Sequence, residues 1–288
     1  MLTQEDIRKY QTNGYLVLEE LIRCERLAHY KSVFDEFVVE GSKLTHQKPH
    51  WSLELDTEGR PQEGLLHKIQ GICMVDSRAL TLARERPILD AVETLLKTHD
   101  SYAHGQIDID VFGTKFFPKL PSGGTSTRWH QDNYYFGTQT DYIISCAIYL
   151  EDSDPDNGCL KVVPGSHRTR KILEHHRDST THGIWTQVDA SRAVDVSVPA
   201  GTVVLFSANL LHGAHDNSSS RTRYSTAWHY LPADINPPNI AHGEYEDRHS
   251  ARKAGRRVVE SPAVLFERQM SETERPVIQD VKNQDQRR

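Results

Sequence analysis

The sequence predicts a mainly β domain, a sandwich or barrel carried on helices at its N-terminal end. Apolar residues recur at helical spacing before about residue 100. From about residue 104 to 231 the apolar runs become short, β-branched and aromatic, with turn residues between them. At 288 residues and with no internal repeat, the chain suits one large β domain enclosing a pocket.

Thr3 with Asp6 three residues on makes a capping-box pattern, and Gly14 can end the helix that follows. Tyr15–Leu18 reads as a short strand. From residue 24 to 39, Leu27, Tyr30, Phe34, Phe37 and Val38 form the apolar face of a helix. Residues 41–66 are polar and punctuated by Gly and Pro, so a surface excursion or lid is expected there. Helices are expected at about 77–85 and 87–97, the second with Pro87 at its favoured first position. Strands follow at 107–117, 128–132, 142–150, 160–163, 194–198, 203–206 and 224–231. Turns fall at 121–124, 154–158 and 199–201. The mixed charges of 244–257 read as a solvated helix face. One domain over 1–270 is expected, with helical support in 1–100, the β core in about 104–231 and a mobile charged tail at 271–288.

Several function classes are disfavoured. The net charge of −6 and the lack of a long basic run argue against nucleic acid or an anionic membrane as partner. No apolar run approaches the ~20 residues of a membrane span. Cys24, Cys73, Cys146 and Cys159 show no paired spacing, so reduced thiols in a cytoplasmic protein are expected. The chain opens on a polar helix, without the pattern of a secretory signal. A small-molecule partner is expected, and no pattern fixes an oligomeric state.

The chemistry concentrates in Trp129-His130-Gln131-Asp132, inside an expected strand. Residues two apart on a strand share a face, so His130 and Asp132 can meet one ion while Gln131 points away. One imidazole and one carboxylate are two-thirds of the facial triad of non-haem Fe(II) oxygenases. Leu211-His212-Gly213 follows the apolar run 203–206, where a distant strand would deliver the second imidazole. His-x-Asp alone means little among 16 histidines. The ordered set carries the weight: His-x-Asp, the turn Pro164-Gly165-Ser166-His167, His212, then an arginine. His215 is a rival ligand that alternation places on the opposite face, and His167 is expected to pack rather than ligate. Arg223, 11 residues beyond His212, suits the far carboxylate of a 2-oxo diacid chelating the metal. Ser225 and Arg221 share its face, so alternation does not separate the two arginines. Tyr134, Tyr135 and Phe136 are expected to line the mouth.

These residues resemble the phytanoyl-CoA dioxygenase family, a branch of the Fe(II)/2-oxoglutarate oxygenases. The matching stretches are Thr3-Gln4-Glu5-Asp6, Asn13-Gly14-Tyr15-Leu16-Val17, Lys68-Ile69-Gln70 and Trp129-His130-Gln131-Asp132. They continue through residues 157–167, His212-Gly213, Asn217 and Arg223, in family order over about 1–231. The resemblance implies a double-stranded β-helix, or jelly roll, using O₂ and binding Fe(II) through His130, Asp132 and His212. It implies 2-oxoglutarate on Arg223, with Lys68 and Lys115 at positions that contact it in relatives. Having Asp132 where halogenating cousins carry a small residue, the chain is expected to hydroxylate or otherwise oxygenate a C–H bond. It departs at Ile148, often tryptophan in relatives, and at Ala214, often a hydroxyl residue; both are expected in the pocket wall. A cupin-like hydrolase or isomerase without 2-oxoglutarate, or a silent jelly-roll binding protein, would fit the metal motif alone.

Overall fold

The polar first turn of the chain folds as its pattern dictates. Thr3 and Asp6 cap one another at the head of α1 (Gln4–Asn13), and Gly14 ends it in the left-handed conformation at φ 84°. The computed structural model describes residues 2–121, 123–177 and 183–259. Next come β1 (Tyr15–Leu18), α2 (Cys24–Gly41), β2 (Trp51–Leu55) and β3 (Pro61–Gln70). Three helices follow, α3 (Ile72–Val75), α4 (Ser77–Ala83) and α5 (Arg86–Leu96), the last with Pro87 in its first turn.

The β core contains β4 (Ile109–Phe117), β5 (Thr127–His130), the short helix α6 (Asp132–Phe136), β6 (Ile144–Tyr149) and β7 (Leu160–Val162). After β8 (His176–Arg177) and β9 (Ile184–Trp185) it resumes with β10 (Val194–Val196), β11 (Val203–Ser207), β12 (His212–Ala214) and β13 (Ser225–Pro232). It closes with β14 (Arg248–Lys253) and β15 (Arg256–Arg257). A nine-stranded antiparallel sheet runs β1-β11-β6-β13-β4-β14-β15, with β3 joining β4 and β2 joining β3; a smaller sheet runs β10-β7-β12-β5. This is the expected jelly roll.

The helices cover the outer face of the large sheet. Phe34 and Phe37 of α2 pack edge-on against each other, and Phe34 meets Phe116 of β4 at a ring distance of 4.6 Å. Between the sheets, Val162, Val196, Val204, Phe206 and Leu210 form a second apolar cluster. The triad region opens beyond it.

Two expectations fail. From residue 51 on, the expected 41–66 excursion is a hairpin rather than a loose segment, because Trp51, Leu53 and Leu66 bury apolar side chains and Asp56 closes the turn by accepting the Glu58 and Arg60 amides. The 244–257 stretch is not a solvated helix face either. It forms β14 and β15, and Arg248 is buried with its Nε 2.9 Å from Asp110 while its other nitrogens reach backbone carbonyls. Paired charges and an antiparallel register against β4 replace the helix. The described residues up to Arg257 form one compact unit; the boundary at 270 and the tail from 271 lie outside the described residues. No helix among them is long and apolar enough to cross a membrane, and all four cysteines are free.

Candidate metal centre

Pairing within the small sheet sets His212 of β12 directly opposite His130 of β5. Asp132 reaches the same point by a route the pattern did not anticipate. β5 stops at His130, Gln131 is extended (φ −125°, ψ 129°), and Asp132 opens α6. One extended residue and a helical turn, rather than strand alternation, bring the carboxylate over the imidazoles. His130 Nε2 lies 3.5 Å from Asp132 Oδ1 and His212 Nε2 lies 3.6 Å from Oδ2. All three groups are buried, with ligand atoms within 4.8 Å of one another. Gln131 does point away, donating to the Lys171 and Asn209 carbonyls and accepting the Leu173 amide.

The backbone selects the tautomers. Nδ1 of His130 sits 2.8 Å from the Arg128 carbonyl, and Nδ1 of His212 sits 3.0 Å from the Leu210 carbonyl. A carbonyl only accepts, so Nδ1 carries the hydrogen in both rings and the Nε2 lone pairs face Asp132. Burial pushes the His212 imidazole down to about 4, leaving it neutral near pH 7 as a ligand must be. Burial works against charge on Asp132, but the surrounding histidines His212, His229 and His130 outweigh it and hold the carboxyl well below its ordinary value. The Ser145 hydroxyl donates to Asp132 Oδ2 at 2.7 Å and meets His229 Nδ1 at 3.0 Å; His229 Nε2 faces Lys115 Nζ at 3.4 Å. Two imidazoles held at Nδ1 by backbone carbonyls and an oriented carboxylate, with open space beside them, fit a non-haem ferrous ion.

That space is a cavity of about 600 Å³, within the range that takes small organic molecules. Arg223 lies in its wall just before β13, buried, with Nη1 on the Ser225 hydroxyl and Nε without a hydrogen-bond partner. An unmatched donor on a buried guanidinium suits a bound carboxylate. Arg221 turns to the surface and pairs with Asp154 at 2.7 Å, which separates the two arginines. His215 pairs with Asp195 at 2.6 Å and does not line the cavity. His167 holds the Gln11 carbonyl at 3.2 Å. Lys68 and Lys115 both line the cavity, and Lys115 donates to the Gly113 carbonyl at 3.1 Å.

Residues 10–225 match the sequence model of the family described as phytanoyl-CoA dioxygenase (PhyH). The chain belongs to the phytanoyl-CoA dioxygenase family. It is a non-haem iron enzyme of the 2-oxoglutarate-dependent dioxygenase class. It is 24% identical over 274 residues to a probable alpha-ketoglutarate-dependent hypophosphite dioxygenase of Stutzerimonas stutzeri, covering 91% of each chain. Its fold is that of EvdO2 from Micromonospora carbonacea var. aurantiaca, solved with 2-oxoglutarate, at TM-score 0.61, 19% identity, and 81% and 91% coverage of the two chains. EctD from S. alaskensis, solved with bound Fe, superposes at TM-score 0.64 with 19% identity, covering 82% of this chain and 79% of that one.

The phytanoyl-CoA dioxygenase fold explains the departures differently from one another. Ala214 lies in the cavity wall as expected. Ile148 does not, because the pleat turns Ala147 and Tyr149 to the cavity and buries Ile148 against the helices. Tyr135 and Phe136 line the cavity, whereas Tyr134 stacks on His175 with ring centres 4.3 Å apart. Ser145 and His229 went unnoticed in the sequence. For His229 a signal existed: alternation from Ser225 through Ala227 carries it to the same face.

Proposed function

We propose that His130, Asp132 and His212 hold the ferrous ion of this dioxygenase and that Arg223 holds the far carboxylate of 2-oxoglutarate. One observation carries the reading: two histidines paired across β5 and β12 present backbone-fixed Nε2 lone pairs to one buried carboxylate, at 3.5 and 3.6 Å. When bound, iron and 2-oxoglutarate supply the oxidising chemistry, with O₂ consumed, succinate and CO₂ released and a substrate C–H bond oxidised.

The protein's own part is orientation. Arg223, with Ser225, fixes one end of the cosubstrate against the wall. Ser145 and His229 keep the Asp132 carboxylate turned to the metal. Lys115 closes that chain and adds positive charge beside it. Lys68, carried over by the resemblance as a cosubstrate contact, stays available to whichever anion lies on the β3 side. Tyr135 narrows the entrance, its hydroxyl accepting the Ile184 amide at 3.3 Å. The substrate on this reading is a small molecule, and four free cysteines support a reducing compartment, the cytoplasm.

Succinate release from the anaerobically iron-loaded chain, started with O₂, tests the assignment. His130→Ala, Asp132→Ala and His212→Ala should each abolish it. Full turnover in any one of them removes that residue from the centre.

A further inference from the structure

Among the described residues two groups of metal-binding side chains converge, the triad and a second set of Cys159, Asp195 and His215. Strand alternation explains where the second set lies. Leu160 and Ala214 line the cavity and Val196 packs between the sheets. Their neighbours Cys159, His215 and Asp195 therefore turn to the opposite face of the small sheet. None of the three lines the cavity.

The three donors come from strands that pair side by side. β7 lies between β10 and β12, with Asp195 opposite Lys161 and Ala214 opposite Leu160. The His215 amide donates to the Cys159 carbonyl at 3.0 Å, and Lys119 Nζ donates to the His215 carbonyl, so the backbone at both residues is held. The ligand atoms of the three side chains lie within 4.8 Å of one another. His215 Nε2 meets Asp195 Oδ1 at 2.6 Å, and both side chains are partly exposed. A surface Asp–His pair needs no metal. The buried Cys159 thiol within reach of both is what such a pair leaves unexplained. Burial, then Asp195, push that thiol up to about 11, while the Arg223 charge and the Val196 amide favour its thiolate. A metal cation takes the place of the thiol proton, which leaves to solvent.

We infer that Cys159, Asp195 and His215 form a second metal site, selective for zinc, on the face of the small sheet turned away from the cavity. A thiolate, an imidazole and a carboxylate, with water in the fourth position, make a tetrahedral zinc donor set. Bonds of about 2.0–2.3 Å place such donors roughly 3.3–3.6 Å apart, so side-chain movements of about an ångström assemble it. The exposed sides of His215 and Asp195 give the ion its way in. The thiolate selects zinc over Fe(II), which leaves iron to the triad. An ion here ties β10, β7 and β12 together, close along the chain to His212.

Cobalt(II) stands in for zinc and reports a thiolate ligand by a sulfur-to-metal charge-transfer band in the near ultraviolet. The triad has no sulfur and gives no such band. The full chain titrated with Co(II) should show the band, and added Zn(II) should remove it. Cys159→Ser and His215→Ala should each abolish the band, and equilibrium dialysis should show each variant binding one zinc per chain fewer than the wild type. Asp132→Ala should keep the band, because it disturbs only the triad. His215 is partly exposed, so its variant does not put folding at stake. Absence of the band in the wild type would overturn the inference. So would a band or a zinc content that survives Cys159→Ser, or a band lost in Asp132→Ala. Each of these would leave the dioxygenase reading standing, since that reading is tested by iron binding and succinate release.

Discussion

At the scale of single residues, the Ser145 hydroxyl decides how Asp132 presents itself. It is buried, donates to Oδ2 at 2.7 Å, and bridges the carboxylate to His229 Nδ1 at 3.0 Å. Removing it leaves the three proposed ligands in place but lets the carboxylate turn. Ser145→Ala should therefore weaken Fe(II) binding about 10- to 100-fold, measured by anaerobic titration, without loss of the fold. Unaltered iron affinity would show that packing alone orients Asp132. Arg223→Ala should act on the cosubstrate instead. Losing a buried charge-assisted contact should raise the 2-oxoglutarate concentration for half-maximal turnover by about 10- to 100-fold. An unchanged dependence would move the role elsewhere. The convergence of His130, Asp132 and His212, and the place of Arg223 in the same cavity, were legible because each sits in an ordered run of motifs. Ser145 was not, since a serine within an apolar strand carries no local mark. Choosing Arg223 over Arg221 required the pair that Arg221 makes with Asp154 at the surface, a contact between positions 67 residues apart.

Among the elements, β12 matters most to the metal centre and is only three residues long. It is clamped on both sides, by β5 through His212 and His130 and by β7 through His212 and Val162. Gly213 makes the clamp possible. A Cβ there would sit 2.7 Å from the Thr127 carbonyl oxygen, too close unless β5 withdraws. Gly213→Ala should cost about 1–3 kcal/mol of stability by overpacking. It should also weaken iron binding more than tenfold, because the movement separates His130 from His212. Thermal unfolding and iron titration of the same sample check both; full iron affinity would mean that the strands shift together. Strands with regular apolar runs, such as β6, β11 and β13, were legible to within a few residues. The β2–β3 hairpin and β14 were not. Their buried faces include charged groups, Glu54 held by His67 and Thr125 and Arg248 held by Asp110, whose partners come from distant sequence. A pattern based on hydrophobicity scores such faces as exposed, although each charge is matched.

The molecule as a whole places its functional histidines in the seam between two sheets, and this couples the metal to global stability. Burial lowers the imidazole of His212 to about 4 and that of His229 to about 3, from an ordinary 6.5. Between those values the unfolded chain binds protons that the folded chain refuses, so stability rises with pH across the window. The stabilising contribution is complete above about pH 6.5 and is lost as the pH falls toward 4 and then 3. Metal-free protein should therefore melt at progressively lower temperature from pH 6.5 down to 4, by about 2–4 °C for each kcal/mol lost. A divalent ion binds only the folded arrangement, so at about 100 times its dissociation constant it should add about 2.7 kcal/mol near pH 7. That corresponds to a rise of roughly 5–10 °C in Tm. Protons compete for the same Nε2 atoms, so the increment should shrink as the pH falls, and it should vanish at every pH in Asp132→Ala. Scanning calorimetry with and without Fe(II) under anaerobic conditions measures all three. A metal increment that is independent of pH, or that persists in Asp132→Ala, would place the ion outside the seam.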